Sequence, residues 1–207
     1  AGFSYGALGM SHHATEDIAI MRALPGVTVI SPSTEYEAYS STINLSKQAG
    51  VGYLRLDKSK VENINEKVER FKIGKGRVLL DGSDYAIIAC GGIVNEAISA
   101  AHELNNKNIS CKVISMHTIK PMDNALIHNC VKNLKGIISL EEGNITGGMG
   151  SAILEVCLNT GKFPLKMKML GIKDEYISIV GSQKYLRDSV GISKKFIVDA
   201  ILEMDRL

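Results

Sequence analysis

Two adjacent histidines near the start of the chain are the side chains best suited to chemistry. His12 and His13 follow Gly9-Met10-Ser11, at a point where the sequence predicts that a helix begins. Neutral imidazoles there can hydrogen-bond hydroxyls or shuttle protons near neutral pH, and a helix N-terminus favours an anionic ligand such as a phosphate. His13 and Asp17 are four residues apart, but no third ligand at metal-site spacing is near, so we expect no metal here. The alternative, that both histidines only cap and orient the helix, stays open.

Other polar groups are weaker candidates. The loop at residues 147–150 follows a predicted strand and opens a helix, but it lacks the G-x-G-x-x-G spacing of a dinucleotide site. We expect it to allow close packing of helix on strand. Glu141 and Glu142 are neighbours on a strand and face opposite sides, so they cannot form a catalytic pair. The isolated histidines, for which we expect surface or packing roles, are His102, His117 and His128.

The first region of the chain alternates between helix and strand patterns. The predicted elements are a helix over 11–24, a strand over 27–30, a helix over 34–47 and a strand over 50–55. Pro25-Gly26 ends the first helix, and Thr34 with Glu37 has the spacing of a capping box for the second. Such alternation favours a parallel sheet.

The second region repeats this alternation after a charged stretch that is poor in apolar residues. We predict a unit over 1–60, a linker over 61–76 and a second unit over 77–207. The predicted strands are 77–80, 85–90, 111–115, 136–140 and 166–170, and the predicted helices are 95–104, 121–135, 150–159 and 193–204. The close turn at Asp81-Gly82 implies an antiparallel edge on an otherwise parallel sheet. The fold class is therefore α/β.

Composition excludes several function classes. The 207 residues are 45% hydrophobic and 22% charged, with a net charge of +2, which gives no field that would favour nucleic acid or a membrane surface. Aromatic residues make up 5% and Trp is absent, which leaves little for stacking on bases. The four cysteines form no C-x-x-C pair, so we expect reduced, buried thiols. With no signal peptide or membrane span visible, we expect a cytoplasmic fragment or section of a protein.

A set of motifs in the same order and spacing resembles the transketolase family along essentially the whole chain. The matching positions of the first region are Gly9, His12, Glu16, Pro25-Gly26, Val29, Pro32 and the stretch 53–56. Those of the second region are the stretches 87–91, 94–97 and 119–123, Glu141-Glu142 and the stretch 147–151. The resemblance implies the end of a pyrimidine-binding domain joined to a Rossmann-like C-terminal domain, with one antiparallel edge strand.

The resemblance also implies an activity. Transketolases move a two-carbon ketol unit between sugar phosphates, using thiamine diphosphate and Mg²⁺ or Ca²⁺ bound at a dimer interface. The family histidine that matches His12 lies in the substrate channel, so His12 is the expected catalytic and substrate-binding residue. His13 and Arg55 are the weaker expected substrate-binding residues. The implied partners are an N-terminal transketolase section and a second copy of the chain, and we expect neither nucleic acid nor a membrane.

Two positions depart from the family pattern. Leu8 stands where the family has an acidic residue that contacts a substrate hydroxyl, and Asp57 stands where it has a phosphate-binding arginine. Arg55 or Lys58 could take over the phosphate. The motifs for the activating glutamate, the pyrimidine pocket and the diphosphate with its metal are absent from these 207 residues. We therefore expect no cofactor on this chain alone, and no turnover without the N-terminal section.

Two alternatives remain at this point. A section of a 1-deoxyxylulose-5-phosphate synthase-like enzyme would also have paired histidines at this place, as His12 and His13 are here. A non-catalytic dimerisation or regulatory module would fit the departures at Leu8 and Asp57. The presence of His12 at its expected position favours the enzyme section.

Overall fold

The computed structural model describes residues 1–59 and 71–206, and these form an α/β fold with two sheets. The strands are β1 (Val27–Ile30), β2 (Val51–Leu54), β3 (Arg77–Leu80), β4 (Tyr85–Ala89), β5 (Cys111–Ser115), β6 (Thr118–Lys120), β7 (Gly136–Asn144) and β8 (Met167–Ile172). The helices are α1 (Asp17–Ala23), α2 (Glu35–Lys47), α3 (Val94–Asn105), α4 (Asn124–Asn133), α5 (Met149–Thr160), α6 (Gln183–Ser189) and α7 (Lys194–Arg206). Short 3₁₀ turns cover Gly6–Leu8, Met10–His12 and Gly91–Ile93.

The larger sheet has the strand order β3-β5-β4-β7-β8. Its strands are parallel except β3, which pairs antiparallel with β5, so the predicted antiparallel edge is confirmed. The neighbour of β3 is β5, however, and not the next strand along the chain. The reason is that β4 is buried along its whole length and is bonded on both sides by the parallel strands β5 and β7.

The smaller sheet has the order β2-β1-β6. β1 is a fully buried Val-Thr-Val-Ile run that pairs parallel with β2 and antiparallel with β6. Because β6 comes from residues 118–120, a strand of the second region completes the sheet of the first. The predicted unit boundary at residue 77 therefore does not separate the hydrogen-bonded sheets. Most of the predicted linker, residues 61–70, lies outside the described residues.

The core is divided between the two faces of the larger sheet. Ile87 and Ile88 are adjacent on β4, fully buried, and belong to different apolar clusters because successive strand side chains point to opposite faces. The Ile87 face packs against α3 and α7. The Ile88 face packs against α4 and α5, and also against Ile18 of α1 and Val29 of β1. The first region is thus held on the larger sheet by a shared core.

The helices α2 and α4 begin at side-chain caps, of which the sequence predicted the one at Thr34. The Thr34 hydroxyl accepts a hydrogen bond from Glu37 N (3.1 Å) at the start of α2, and Asp123 accepts one from Leu126 N (3.2 Å) at the start of α4. Glu37 accepts from Ser33 N at 2.7 Å, so the reciprocal bond comes from one residue earlier than a capping box requires.

The predicted helix at residues 11–24 was wrong in its first part, since α1 begins only at Asp17. Residues 10–12 form a 3₁₀ turn, after which His13 is extended. Ala14 then pairs with Gly2 through Gly2 N–Ala14 O (2.8 Å) and Ala14 N–Gly2 O (3.1 Å). This isolated bridge keeps the backbone extended at residues 13–14, so the helix begins later than predicted.

Candidate functional site

His12 lies on a loop that is closed at its base. We call residues 2–14 the His12 loop, because the Gly2–Ala14 bridge joins its two ends. Gly2 has φ +48°, and a Cβ there would lie 2.7 Å from Glu142 Cγ, so only glycine fits at this end. Phe3 N donates to Glu142 Oε1 at 2.5 Å. The loop is therefore fixed to the end of β7.

The His12 side chain is exposed on this loop. Its Nδ1 lies 3.0 Å from Ser11 Oγ, which leaves Nε2 as the ring nitrogen available to a ligand. The helix N-terminus that the sequence predicted beside it is absent, because α1 starts five residues later. The chemistry available at His12 is therefore hydrogen bonding and proton transfer by the imidazole, without help from a helix dipole.

The ring nitrogens of His13 are buried, whereas the His12 side chain is exposed. Its ring packs edge-on against Phe3, with centroids 5.1 Å apart and an interplanar angle of 80°. Both ring nitrogens are buried and have no hydrogen-bond partner within the described chain. The His13 side chain thus packs within the loop against Phe3, and its expected contact with substrate does not fit this position.

Arg55 is buried directly under the loop, with 2% exposure. Its Nε donates to Asp17 Oδ2 (2.7 Å), and Nη2 donates to Asp17 Oδ1 (3.1 Å), Ala14 O (2.6 Å) and Glu142 O (2.9 Å). Burial alone would lower the pKa of the guanidinium, but the Asp17 carboxylate outweighs burial and raises it. The expected phosphate contact does not fit a side chain so enclosed. Arg55 is better described as a positioning residue for the His12 loop.

Asp57 and Glu142 belong to a second group of contacts, in which Gln183 and Arg187 reach both carboxylates. Asp57 Oδ1 accepts from Ser59 N (2.8 Å), Ser4 Oγ (3.0 Å) and Gln183 Nε2 (3.2 Å). Burial alone would raise the pKa of Asp57, but these hydrogen bonds and the Arg187 charge lower it below its usual value. Gln183 Nε2 also donates to Glu142 Oε1 at 2.8 Å.

Arg187 completes this group. Its Nε donates to Glu142 Oε2, and its Nη2 lies 3.8 Å from Asp57 Oδ2. Together with the Arg55–Asp17 pair, these contacts form one network of six residues, which we call the anchor network: Asp17, Arg55, Asp57, Glu142, Gln183 and Arg187. It ties α1, the segment that follows β2, the end of β7 and α6 to the base of the His12 loop. Sequence reasoning missed Gln183 and Arg187 because α6 has only seven residues, and its one local signal is the Ser182 cap, which accepts from Tyr185 N.

The loop before α5 has the packing role that the sequence predicted. A Cβ at Gly150 would lie 2.6 Å from Ser139 Oγ. The first N–H groups of α5 are already satisfied, since Glu141 accepts from Met149 N (2.7 Å) and Gly150 N (2.9 Å). Burial raises the pKa of Glu141 to about 7 in spite of these two bonds. The chain's own carboxylate therefore occupies the place where an external phosphate would bind.

The remaining candidates have structural or surface positions. His117 is buried and stacks on Phe71, and burial lowers its pKa to about 4. His128 Nε2 lies 2.9 Å from Thr160 Oγ1, and His102 is exposed. All four cysteines are free and buried. Within residues 1–59 and 71–206, no cluster of three His, Cys, Asp or Glu could hold a metal ion, and no helix could cross a membrane.

Comparisons with known proteins match both parts of the chain. The sequence pattern described as "Transketolase, pyrimidine binding domain" covers residues 1–63, and "Transketolase, C-terminal domain" covers residues 74–197. A solved structure titled "Split gene transketolase, inactive beta4 tetramer" has 29% sequence identity and a TM-score of 0.83, covering 94% of this chain and 62% of that one.

Three curated relatives are similar over nearly all of the chain. One of the subunits of the apulose-4-phosphate transketolase of Actinobacillus succinogenes is 34% identical over 99% of this chain and 66% of its own length. A putative transketolase C-terminal section of Methanocaldococcus jannaschii is 36% identical, over 98% and 63%. The 6-deoxy-6-sulfo-D-fructose transketolase subunit SqwH of Clostridium sp. (strain MSTE9) is 32% identical, over 95% and 60%. The chain thus spans somewhat less than two thirds of the length of these relatives.

Proposed function

Because the chain belongs to the transketolase family, as a C-terminal section, we propose that it completes an enzyme that transfers a two-carbon ketol unit between sugars. Its partner is an N-terminal transketolase section. The observation that carries the proposal is His12, which is exposed on a loop whose base is clamped by the anchor network. An exposed histidine that only maintained structure would not require a loop held by so many buried contacts.

In this proposal His12 acts on the hydroxyls of the sugar. Ser11 holds Nδ1, so Nε2 faces the substrate, where it hydrogen-bonds a hydroxyl and takes up or returns its proton. Arg55 and Glu142 fix the two ends of the loop and so hold the imidazole in one orientation. Leu8, which is 56% exposed, gives the loop an apolar surface where the family pattern has an acid.

The family implies thiamine diphosphate and a divalent cation in the complete enzyme, and the cofactor supplies the group that carries the ketol unit. The described residues of this chain do not fit the diphosphate or the cation. They contain no metal-ligand cluster, and Glu141 fills the N-terminus of α5. We therefore assign those contacts to the partner section and derive no step through them.

The test is ketol transfer by a mixture of this chain with the N-terminal section of the same organism, thiamine diphosphate and Mg²⁺. The proposal expects a product that is longer by two carbons. Formation of 1-deoxyxylulose 5-phosphate in its place would mean that the chain belongs to a synthase. Absence of both products, with both chains folded, would refute an enzymatic role.

A further inference from the structure

The helix α6 and the residues just before it contact the middle of the His12 loop at Gly6. A Cβ at Gly6 would lie 2.5 Å from Leu186 Cδ1 and 2.6 Å from Gly181 O, so helix and loop are packed directly on each other. Gly6 O also accepts a hydrogen bond from Gly181 N at 3.2 Å. This contact is distinct from the Gly2–Ala14 bridge, which closes the loop at its base.

A run of backbone hydrogen bonds leads from this contact to His12. Gly6 O, which accepts from Gly181 N, accepts from Gly9 N as well, at 3.2 Å. Gly9 O in turn accepts from His12 N at 2.9 Å. These bonds belong to the two 3₁₀ turns, residues 6–8 and 10–12, that bring the chain to His12. A displacement of α6 would therefore displace the backbone of His12.

Two side chains four residues apart, and so on one face of α6, hold this helix in place. Gln183 Nε2 donates to Glu142 Oε1 (2.8 Å) and to Asp57 Oδ1 (3.2 Å). Gln183 Oε1 accepts from Ser59 Oγ at 2.9 Å. Arg187 donates to Glu142 through Nε and to Ser59 Oγ (3.0 Å) through Nη2. Because ionised carboxylates only accept hydrogen bonds, the two acids can face α6 only where its side chains donate to both of them.

We propose that Gln183 and Arg187 are positioning residues for His12, and that α6 is the element through which the second region of the chain acts in ketol transfer. This inference rests on the proposed function and extends it from the base of the loop to its middle. Neither side chain meets the substrate: their bonds fix α6, and α6 fixes the turns that carry His12. Since a misplacement of a reacting group by about 1 Å can slow a reaction about 10²-fold, the loss of these bonds acts on kcat.

The first experiment measures kcat and KM of ketol transfer in the enzyme reconstituted with the N-terminal section. Gln183→Met keeps the length of the side chain and removes its hydrogen bonds, and should lower kcat about 10- to 100-fold. KM should stay within about threefold, because the substrate itself loses no contact. Arg187→Met should have the same effect. Arg187→Lys keeps a positive charge beside Glu142 and should retain more of kcat than Arg187→Met.

The matched control is Lys184→Met, because Lys184 is the next residue of the same helix and is exposed. It should leave both constants unchanged. A rise of KM with unchanged kcat in Gln183→Met would mean that α6 serves binding and does not position His12. Unchanged values of both constants in Gln183→Met would also overturn the proposal.

A second experiment does not depend on turnover. Hydrogen exchange of the ¹⁵N-labelled chain, mixed with its N-terminal section, is followed by NMR. Gln183→Met should raise the exchange rates of the Gly9 and His12 amides about tenfold and leave the amide of Ile87, in the buried strand β4, unchanged. This result supports the positioning of His12 by α6 even if no ketol transfer is found, in which case the proposed function alone fails. Unchanged rates at Gly9 and His12, or an equal rise at Ile87 that marks a general loss of stability, would overturn the inference.

Discussion

Arg55 and Asp17 form a buried ion pair with two hydrogen bonds, at 2.7 and 3.1 Å, directly beneath the loop that carries His12. The same guanidinium donates to the carbonyl of Ala14 at the end of this loop. An arginine that the sequence suggests as a ligand for phosphate is thus part of the support for the imidazole.

Removing the Arg55 guanidinium should destabilise the fold strongly. Arg55→Met would remove the positive charge paired with the Asp17 carboxylate, which would keep only its bond from the Tyr53 hydroxyl, and one donor each from the carbonyls of Ala14 and Glu142. It should lower the free energy of unfolding by about 3–5 kcal/mol. Urea denaturation followed by circular dichroism measures this loss. Lys168→Met, which breaks the exposed pair with Glu203, is the control and should change stability little. Equal losses in both variants would contradict the role of Arg55.

Gly2 should tolerate no side chain. Gly2→Ala would place a Cβ 2.7 Å from Glu142 Cγ at φ +48°, and we expect a loss of roughly 2–4 kcal/mol from strain and overpacking. Gly26→Ala is a matched control, because Gly26 has φ +73° with nothing within 4 Å of the added Cβ. Gly26→Ala should lower the free energy of unfolding only by the backbone strain at positive φ, about 1–2 kcal/mol. If the two variants lose the same stability, the contact with Glu142 is not tight.

Glu141 should make the chain less stable as pH rises. Its folded pKa of about 7 lies above its usual value of 4.5, so the folded state holds the proton more tightly than the unfolded state. Stability from this group is full below pH about 4.5 and is lost as pH rises towards about 7, by roughly 3 kcal/mol in all. Glu141→Gln should remove this part of the pH dependence.

Urea midpoints between pH 4.5 and 7.5 would measure the difference between the wild-type chain and Glu141→Gln. The control is Glu155→Gln, because Glu155 lies on the same helix, α5, with its side chain exposed. This variant should keep the wild-type dependence of stability on pH. A Glu141→Gln chain whose midpoints run parallel to those of the wild type would show that Glu141 stays ionised throughout.

His12 should be required for turnover. In the reconstituted enzyme, His12→Ala should lower kcat by roughly 10²–10⁴-fold, the usual range for a lost acid–base group. Binding of thiamine diphosphate, measured by calorimetry, should stay nearly the same. His102→Ala, which removes an exposed imidazole of α3, is the control and should leave kcat unchanged. Loss of cofactor binding together with kcat would show that His12 only maintains structure.

The regular elements of the fold could be predicted because each has a local pattern. β4 is a run of buried apolar residues, and α3, α5 and α7 have apolar residues at helical spacing. The start of α1 could not be predicted, since a bridge between residues 2 and 14 depends on tertiary contacts. The three-residue strand β6 is too short to leave a pattern, and its partner β1 lies 88 residues earlier in sequence at the Ile30–Thr118 pair.

The candidate site was predictable only in part. His12 could be found from its type and its neighbours, and its exposure agrees with a role in binding. The role of Arg55 could not be found, because an arginine on a short strand has the same sequence signal whether its guanidinium faces solvent or a buried Asp17. The same applies to Asp57, whose partners Ser4 and Gln183 come from distant parts of the chain.

The most direct test of the account is a titration of this chain into a fixed amount of its N-terminal section with thiamine diphosphate and Mg²⁺ present. Ketol transfer should be absent with either section alone, rise with added chain and reach a plateau at one chain per N-terminal section. Activity of either section alone, or no ketol transfer at any ratio while both sections are folded, would contradict the claim that this chain completes the enzyme.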